Sequence, residues 1–406
     1  MKRVVITGVG AVTPVGNDVQ TMWESMKNGV CGIGLITKFD PSLTKAKVAG
    51  ELKDFDATQY IEKRECRKMD LFCQYAIAAA EQAVSDSGIK GSVEPERLGV
   101  YVGSGIGGMN IFYEQSVNQY TGKNISPFFI PMMIGNIASG NIAIRYKAMG
   151  PCLPVVTACS TSTHALGEAF HAIKFGLADA IIAGGAEATI NPLAVNGFVS
   201  CKALCLSDDP KRASIPFDKD RSGFVMGEGA GILVLEEYEH AVARGAKIYA
   251  EICGYGNTCD AHHITAPDPD GIGAAGCVRI ALEEAGYKDT DEIYINAHGT
   301  STPLNDSGET KAFKAVLGER AYKAHISSTK SMTGHMLGAT GAVEAIAATM
   351  ALREGVIPPT IGYKTPDPEC DLDYTPNAAV KADVDMAIST TFGFGGHNAC
   401  IALRKI

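Results

Sequence analysis

The chain has 406 residues, 46% of them hydrophobic and 20% charged, with a formal net charge of -9. That length exceeds one small core and fits two packed units or one large duplicated unit. The acidic balance argues against nucleic acid binding, and no window approaches the length of a membrane span.

The N-terminus, MKRVVITGVG, runs straight into a strand-like stretch. Its apolar run is broken by Thr7 and Gly8, unlike a secretory signal. Twelve cysteines without such a signal read as reduced thiols in a cytoplasmic protein. Next, IEKRECRKMD (61–70) carries Lys63, Arg64, Arg67 and Lys68, whose spacing shares one face of a helix. Placed near a helix start, these cations oppose its dipole. The patch is either a docking surface for an acidic partner or a solvated face. MDLFCQYAIAAAEQAVSDSG (69–88) has helical spacing and ends in Gly88, and LGVYVGSGIGG follows as a strand and turn. The GSGIGG turn lacks the spacing of a dinucleotide site.

TACSTSTHALGEAFHAIKFG (157–176) places Cys159 just before a helix predicted to begin near Ser160. Free N–H groups at that end favour a thiolate, whereas a buried cysteine acts as a small hydrophobe. AIIAGGAE (180–187) reads as a buried strand, and GFVMGEGAGILVLEE as a Gly-rich turn feeding another. Cys201 with Cys205, and Cys259 with His262 and His263, lack a second ligand pair at a familiar spacing. No metal is expected there.

The later segments repeat the earlier order. GAAGCVRIALEEAG (273–286) is a helix ending in Gly286, followed by the strand and turn IYINAHGTSTP. ISSTKSMTGHMLGATGAVEAIAATMALREG answers the Cys159 segment, and FGFGGHNACIALRKI answers GFVMGEGAGILVLEE. The chain therefore divides near residue 250 into two similar α/β halves, 1–250 and 251–406. Alternating strands and helices predict mostly parallel sheets covered on both faces. Duplication would bring the strand-to-helix turns to one surface. There Cys159 would meet His298 and His335, with Lys330 and Glu344 flanking the latter. TTFGFGGHNA offers backbone N–H groups unshielded by side chains, which suit an oxyanion hole.

TACSTSTHA, NAHGTSTP, SSTKSMTGHMLGA and FGFGGHNA, in that order, resemble the signatures of the β-ketoacyl-[acyl carrier protein] synthases of the thiolase superfamily. GFVMGEGAG, PFD (216–218) and VIPPT (356–360) also fit, and the pattern is nearest the elongating synthases of bacterial fatty acid synthesis. The resemblance implies a duplicated, layered αβαβα sandwich. It makes Cys159 the nucleophile that takes an acyl chain from acyl carrier protein. It makes His298 and His335 the groups that bind the malonyl thioester carbonyl during decarboxylation. Lys330 and Glu344 would orient His335, and the N–H groups of Cys159 and Phe394 would form an oxyanion hole. Thr300 and Thr302 would hold the phosphopantetheine arm. Phe392 would line the substrate site, and the acyl pocket would run toward Ile106, Phe198 and the partner's Ile134. The resemblance further implies a homodimer without a cofactor, its substrates carried on phosphopantetheine. Acyl carrier protein would dock on Lys63, Arg64, Arg67 and Lys68, with Lys123 and Lys202 as outliers.

Relatives of the same fold separate on single positions. Degradative thiolases carry a second cysteine in the last Gly-rich loop, where this chain has His397 and Asn398. Initiating synthases carry Asn at the position of His335, and chain-length factors lack the nucleophile. His397 stands where some family members have Thr. A ketosynthase of polyketide or secondary lipid synthesis, or a non-catalytic partner subunit, remains as the alternative reading.

Overall fold

The computed structural model describes residues 1–406. Nine strands form the main sheet: β1 (Val4–Val12), β2 (Leu98–Gly103), β3 (Ala180–Glu187), β4 (Gly229–Glu237), β5 (Ala250–Cys259), β6 (Ile293–Asn296), β7 (His325–Ser327), β8 (Met386–Gly393) and β9 (His397–Arg404). Their order is β2-β3-β4-β1-β5-β9-β8-β6-β7. A backbone bridge at Cys152 extends the β2 edge in parallel. The first five segments and the last five then follow one plan. A parallel pair (β2 with β3, β6 with β8) is followed by antiparallel neighbours (β4 then β1, β9 then β5). The two sets join through β1 and β5, antiparallel over Val4–Ile6 and Ala250–Ile252.

Five helices complete the layers: α1 (Leu71–Ser87), α2 (Thr161–Lys174), α3 (Ile272–Ala285), α4 (Pro303–Leu317) and α5 (Thr340–Glu354). Helix α1 covers the outer face of the first strand set with small residues, Ala76, Ala79, Ala80 and Ala83. Helix α3 does the same for the second set through Cys277, Val278 and Ala281. Between the sets lie α2 and α5. Helix α5 is buried from Thr340 through Thr349, which only a helix enclosed on all sides requires. A Cβ on Gly341 would come within 1.9 Å of Thr163 Oγ1, so the two central helices touch backbone to side chain. The result is the layered α-β-α-β-α arrangement.

Helices α1 and α3 stop at Gly88 and Gly286, both left-handed, as the sequence predicts. Two expectations need correction. The sheet is mixed rather than mostly parallel. The Gly-rich segment 393–397 is a tight turn that folds β9 directly back on β8, with Gly393 opposite His397, so no helical crossover intervenes. The basic segment is also not the start of a long helix. Lys63–Cys66 is a single turn that ends at Arg67, and α1 begins separately with Asp70 as its cap. Lys63, Arg64 and Arg67 remain exposed, while Lys68 is half-buried, pairs with Glu65 and lies over the Phe128 ring.

Candidate active site

Cys159 lies in a short turn, Ala158–Ser160, between the extended chain and α2. Ala158 has φ +52°, a conformation that costs a non-glycine residue of order 1–3 kcal/mol. The turn is held against the second half: Ser160 Oγ donates to the carbonyls of Thr391 (3.0 Å) and His397 (2.8 Å). Gly393 permits that approach, because a Cβ there would lie 2.8 Å from the Thr157 carbonyl oxygen and 3.2 Å from the Cys159 nitrogen.

The thiol is buried among Ala194, Val195, Leu204 and Phe224. Burial pushes it up to about 12, while the Lys330 charge and the N–H groups of Phe394 and Cys159 act in the opposite direction. The helix start therefore does not by itself yield a thiolate. The sulfur is held as a thiol beside donors that favour its ionised form.

A cavity of about 260 Å³ opens onto Cys159, His298, His335, Thr300, Thr302 and Phe392. The imidazole rings of His298 and His335 are 5.2 Å apart and nearly perpendicular. Both are held well below the ordinary histidine value, first by burial and then by the Lys330 charge, so both are neutral at pH 7. Thr340 Oγ1 lies 3.0 Å from His335 Nδ1. With that hydroxyl donating, the ring proton sits on Nε2, which is buried without a protein partner. The His335 backbone is fixed by bonds to the Val225 carbonyl (2.7 Å) and from the Gly227 N–H (2.8 Å).

Lys330 and Glu344 form a fully buried pair 2.5 Å apart, each 1% exposed. Lys330 opens a one-turn helix, His335 follows in a loop and Glu344 is on α5, so the three do not share one helix. The hydrogen bond to the His335 ring comes from Thr340 rather than from this pair. Thr300 and Thr302 hydroxyls meet at 2.9 Å on the cavity wall. Phe394 lines the cavity, its ring 6.2 Å from that of Phe198. Ile106 is 43% exposed and lies outside the cavity. Lys202 and Cys201 are at the cavity rim. Cys205, by contrast, is buried and accepts from Ser222 Oγ at 3.3 Å. His263 Nδ1 accepts the N–H groups of Thr265 and Ala266, which fixes a turn.

Sequence reasoning missed several groups that hold these parts in place. Glu309, buried on α4, accepts the backbone N–H groups of His298 (2.7 Å) and Gly299 (2.8 Å) and the hydroxyl of Thr390 (2.7 Å). Asn398 donates to Asp260 (2.7 Å), tying the Gly-rich turn to the loop that begins at Asp260. Glu187 accepts from loops of both halves. None of these partners lies within seven residues of its carboxylate, so no local motif marks them.

Two family profiles cover most of the chain. The β-ketoacyl synthase N-terminal domain matches residues 1–241 and the β-ketoacyl synthase C-terminal domain matches residues 249–364. The chain belongs to the β-ketoacyl synthase family. It is 52% identical over 408 residues to 3-oxoacyl-[acyl-carrier-protein] synthase 2 of Synechocystis sp., a match spanning 100% of this chain and 98% of that protein. It is 50% identical to the protein of the same name from Staphylococcus aureus, with the same coverage. Among solved structures, a β-ketoacyl synthase from Burkholderia phymatum superposes with a TM-score of 0.93 at 34% identity, covering 100% of both chains. A type II polyketide ketosynthase in complex with its acyl-carrier protein gives 0.91 at 34% identity, covering 100% of this chain and 99% of that one.

Proposed function

We infer that the protein elongates fatty acyl chains by two carbons through decarboxylative condensation. The observation that carries this is one cavity holding a cysteine thiol, two neutral imidazoles and the N–H of Phe394. The full-length likeness to proteins named 3-oxoacyl-[acyl-carrier-protein] synthase 2 supports it. Likeness to the polyketide ketosynthase is weaker, at 34% identity, which favours primary fatty acid synthesis over the polyketide alternative.

In the first half-reaction Cys159 Sγ attacks the carrier-bound acyl thioester. The oxyanion points at the N–H groups of Cys159 and Phe394. The carrier thiol leaves with the proton that Cys159 gives up. In the second, the malonyl thioester carbonyl is held by His298 and His335. The C–C bond to the carboxylate breaks, CO2 leaves, and the electron pair passes into an enolate. That carbanion attacks the acyl carbonyl and expels the Cys159 thiolate, giving the 3-oxoacyl thioester. Negative charge develops on a carbonyl oxygen in both halves, which is why donors fixed in advance serve better than groups that must reorient. Thr300 and Thr302 hold the phosphopantetheine arm, Lys330 and Glu344 set the field at His335, and no other cofactor takes part.

The same reading includes two duplicated units, 1–250 and 251–406, for which the matched strand order is support. It includes a homodimer in the cytoplasm. Exposed Ile144, Met149, Leu153 and Val156, flanking the Cys152 edge, favour a covered face, and no helix is long and apolar enough to cross a membrane. Acyl chains run from Cys159 toward Ile106 and Phe198, to be completed by the partner's Ile134.

Phe394 gates the cavity in this scheme: it lines the cavity between Gly393 and Gly395, and its ring lies 6.2 Å from that of Phe198. Phe394→Ala will blur the order in which acyl and malonyl substrates are taken while Cys159 stays open to a small alkylating agent. A wild-type product profile and binding order in that variant would exclude the gate.

An acidic enzyme needs a local basic surface to meet an acidic carrier protein. Arg64, 80% exposed on its side chain, with Lys63, Arg67 and Lys68, supplies one, with Lys123 and Lys202 as outliers. Reversing the charge of Arg64 and Arg67 together will raise KM for carrier-bound substrate about tenfold, mainly through a slower on-rate. Turnover of a small pantetheine thioester will not change. Wild-type KM will rise with salt over the range where exposed charges are screened. An unchanged KM and salt dependence in the double variant would leave the patch a solvated face.

A further inference from the structure

Glu187 ends β3 and is fully buried, and burial pushes its carboxyl up to about 7 while neutral donors, rather than a cation, act to lower it. Its carboxylate is balanced by four donors. Oε1 accepts from Ser104 Oγ (2.9 Å) and the Ile106 N–H (3.4 Å), and Oε2 from the N–H groups of Gly105 (2.8 Å) and Gly338 (3.0 Å). Ser104 Oγ in turn accepts the Gly107 N–H at 2.9 Å, closing the loop 104–107 on itself. Oε2 thus bonds two loops from opposite halves of the chain. One carries Ile106 and the other begins at His335. These loops are in backbone contact: a Cβ on Gly338 would lie 2.4 Å from the Gly105 nitrogen. A Cβ on Gly105 would lie 3.1 Å from the Ala158 carbonyl oxygen, beside the nucleophile. Leu337, between His335 and Gly338, has φ +46°, so this turn is held in a conformation it would relax from if released.

We propose that Glu187 is a positioning residue that couples occupancy of the acyl pocket at Ile106 to the placement of His335. This rests on the reading above, in which Ile106, exposed in the single chain and outside the Cys159 cavity, is covered in the homodimer and there meets the acyl chain, and His335 binds the malonyl thioester. A chain that shifts Ile106 pulls on Oε1, and the rigid carboxylate transmits the shift through Oε2 to Gly338. Malonyl decarboxylation is then fastest when a chain worth extending is in place. Removing both acceptors breaks the device, as a methionine of similar volume does, whereas a glutamine would not, because its one oxygen at the Oε2 position still accepts from both Gly105 and Gly338.

The experiment uses the full-length enzyme and carrier-bound substrates. Wild-type and variant enzymes are first charged on Cys159 with either a two-carbon or a long acyl chain, and charging is verified by intact mass. CO2 release from malonyl-carrier is then timed. In the wild type, the long-chain acyl-enzyme will decarboxylate about fivefold faster or more, the scale of ordinary coupling between sites. In Glu187→Met that ratio will fall to about one, with KM for malonyl-carrier unchanged, whereas Glu187→Gln, which keeps the shared oxygen, will retain most of it. Ser104→Ala removes one donor, keeps the Gly338 bond and will at least halve the ratio, which decides the matter should Glu187→Met not fold. A wild-type ratio of one, or a wild-type ratio retained in folded Glu187→Met or Ser104→Ala, would overturn the coupling. Failure of the wild type to be charged on Cys159 would instead refute the functional reading beneath it.

Discussion

Cys159→Ala will accept no acyl chain from a carrier thioester, and condensation will fall by a factor on the order of 10⁴ or more, the scale seen when a catalytic nucleophile is removed. The fold will survive. The change removes one sulfur from a small apolar cluster around Ala194, Val195 and Phe224, and losing that volume costs about 1 kcal/mol. Cys201 makes the result informative, because it is the other cysteine lining the cavity. Intact mass after incubation with acyl-carrier will show no adduct on the Cys159→Ala chain and a full adduct on Cys201→Ala. An acyl group arriving on the Cys159→Ala chain at the wild-type rate would place the nucleophile elsewhere.

The second large effect separates the two half-reactions. His335→Ala will slow CO2 release from malonyl-carrier about a hundredfold or more, the usual loss when one oxyanion donor is removed. Acylation of Cys159 will stay close to wild type, because its oxyanion is met by the backbone N–H groups of Cys159 and Phe394 rather than by His335. His335 can donate there because it is neutral with its proton on Nε2, which burial and the Thr340 hydroxyl together arrange. Measuring the two half-reactions separately checks it. Equal loss in both would reduce His335 to a support for the site.

The sequence made local features readable and left long-range ones hidden. The run AIIAGGAE coincides with β3, because a strand covered on both faces is continuous in apolar and small residues. Helix ends at Gly88 and Gly286 were readable because a left-handed cap has its own residue preference. Strand direction was not. Only the fold shows that the Gly-rich turn before His397 closes a hairpin and makes the sheet mixed. Position alone leaves the state of Cys159 open, because a helix start is visible in sequence whereas the burial that opposes it is not. Glu187 and Glu309 escaped notice for a related reason. Their work is to accept backbone N–H groups from distant turns, and a backbone donor leaves no residue type to recognise.

One measurement tests the central claim most directly. Enzyme charged with a defined acyl chain, freed of excess donor and mixed once with malonyl-carrier, is followed for CO2, for the carrier-bound product and for the adduct on Cys159. The account predicts one CO2 for each acyl group lost from Cys159, and a 3-oxoacyl thioester two carbons longer than the chain supplied. CO2 released while the acyl group stays on Cys159, or an acyl group lost to water without chain growth, would contradict it.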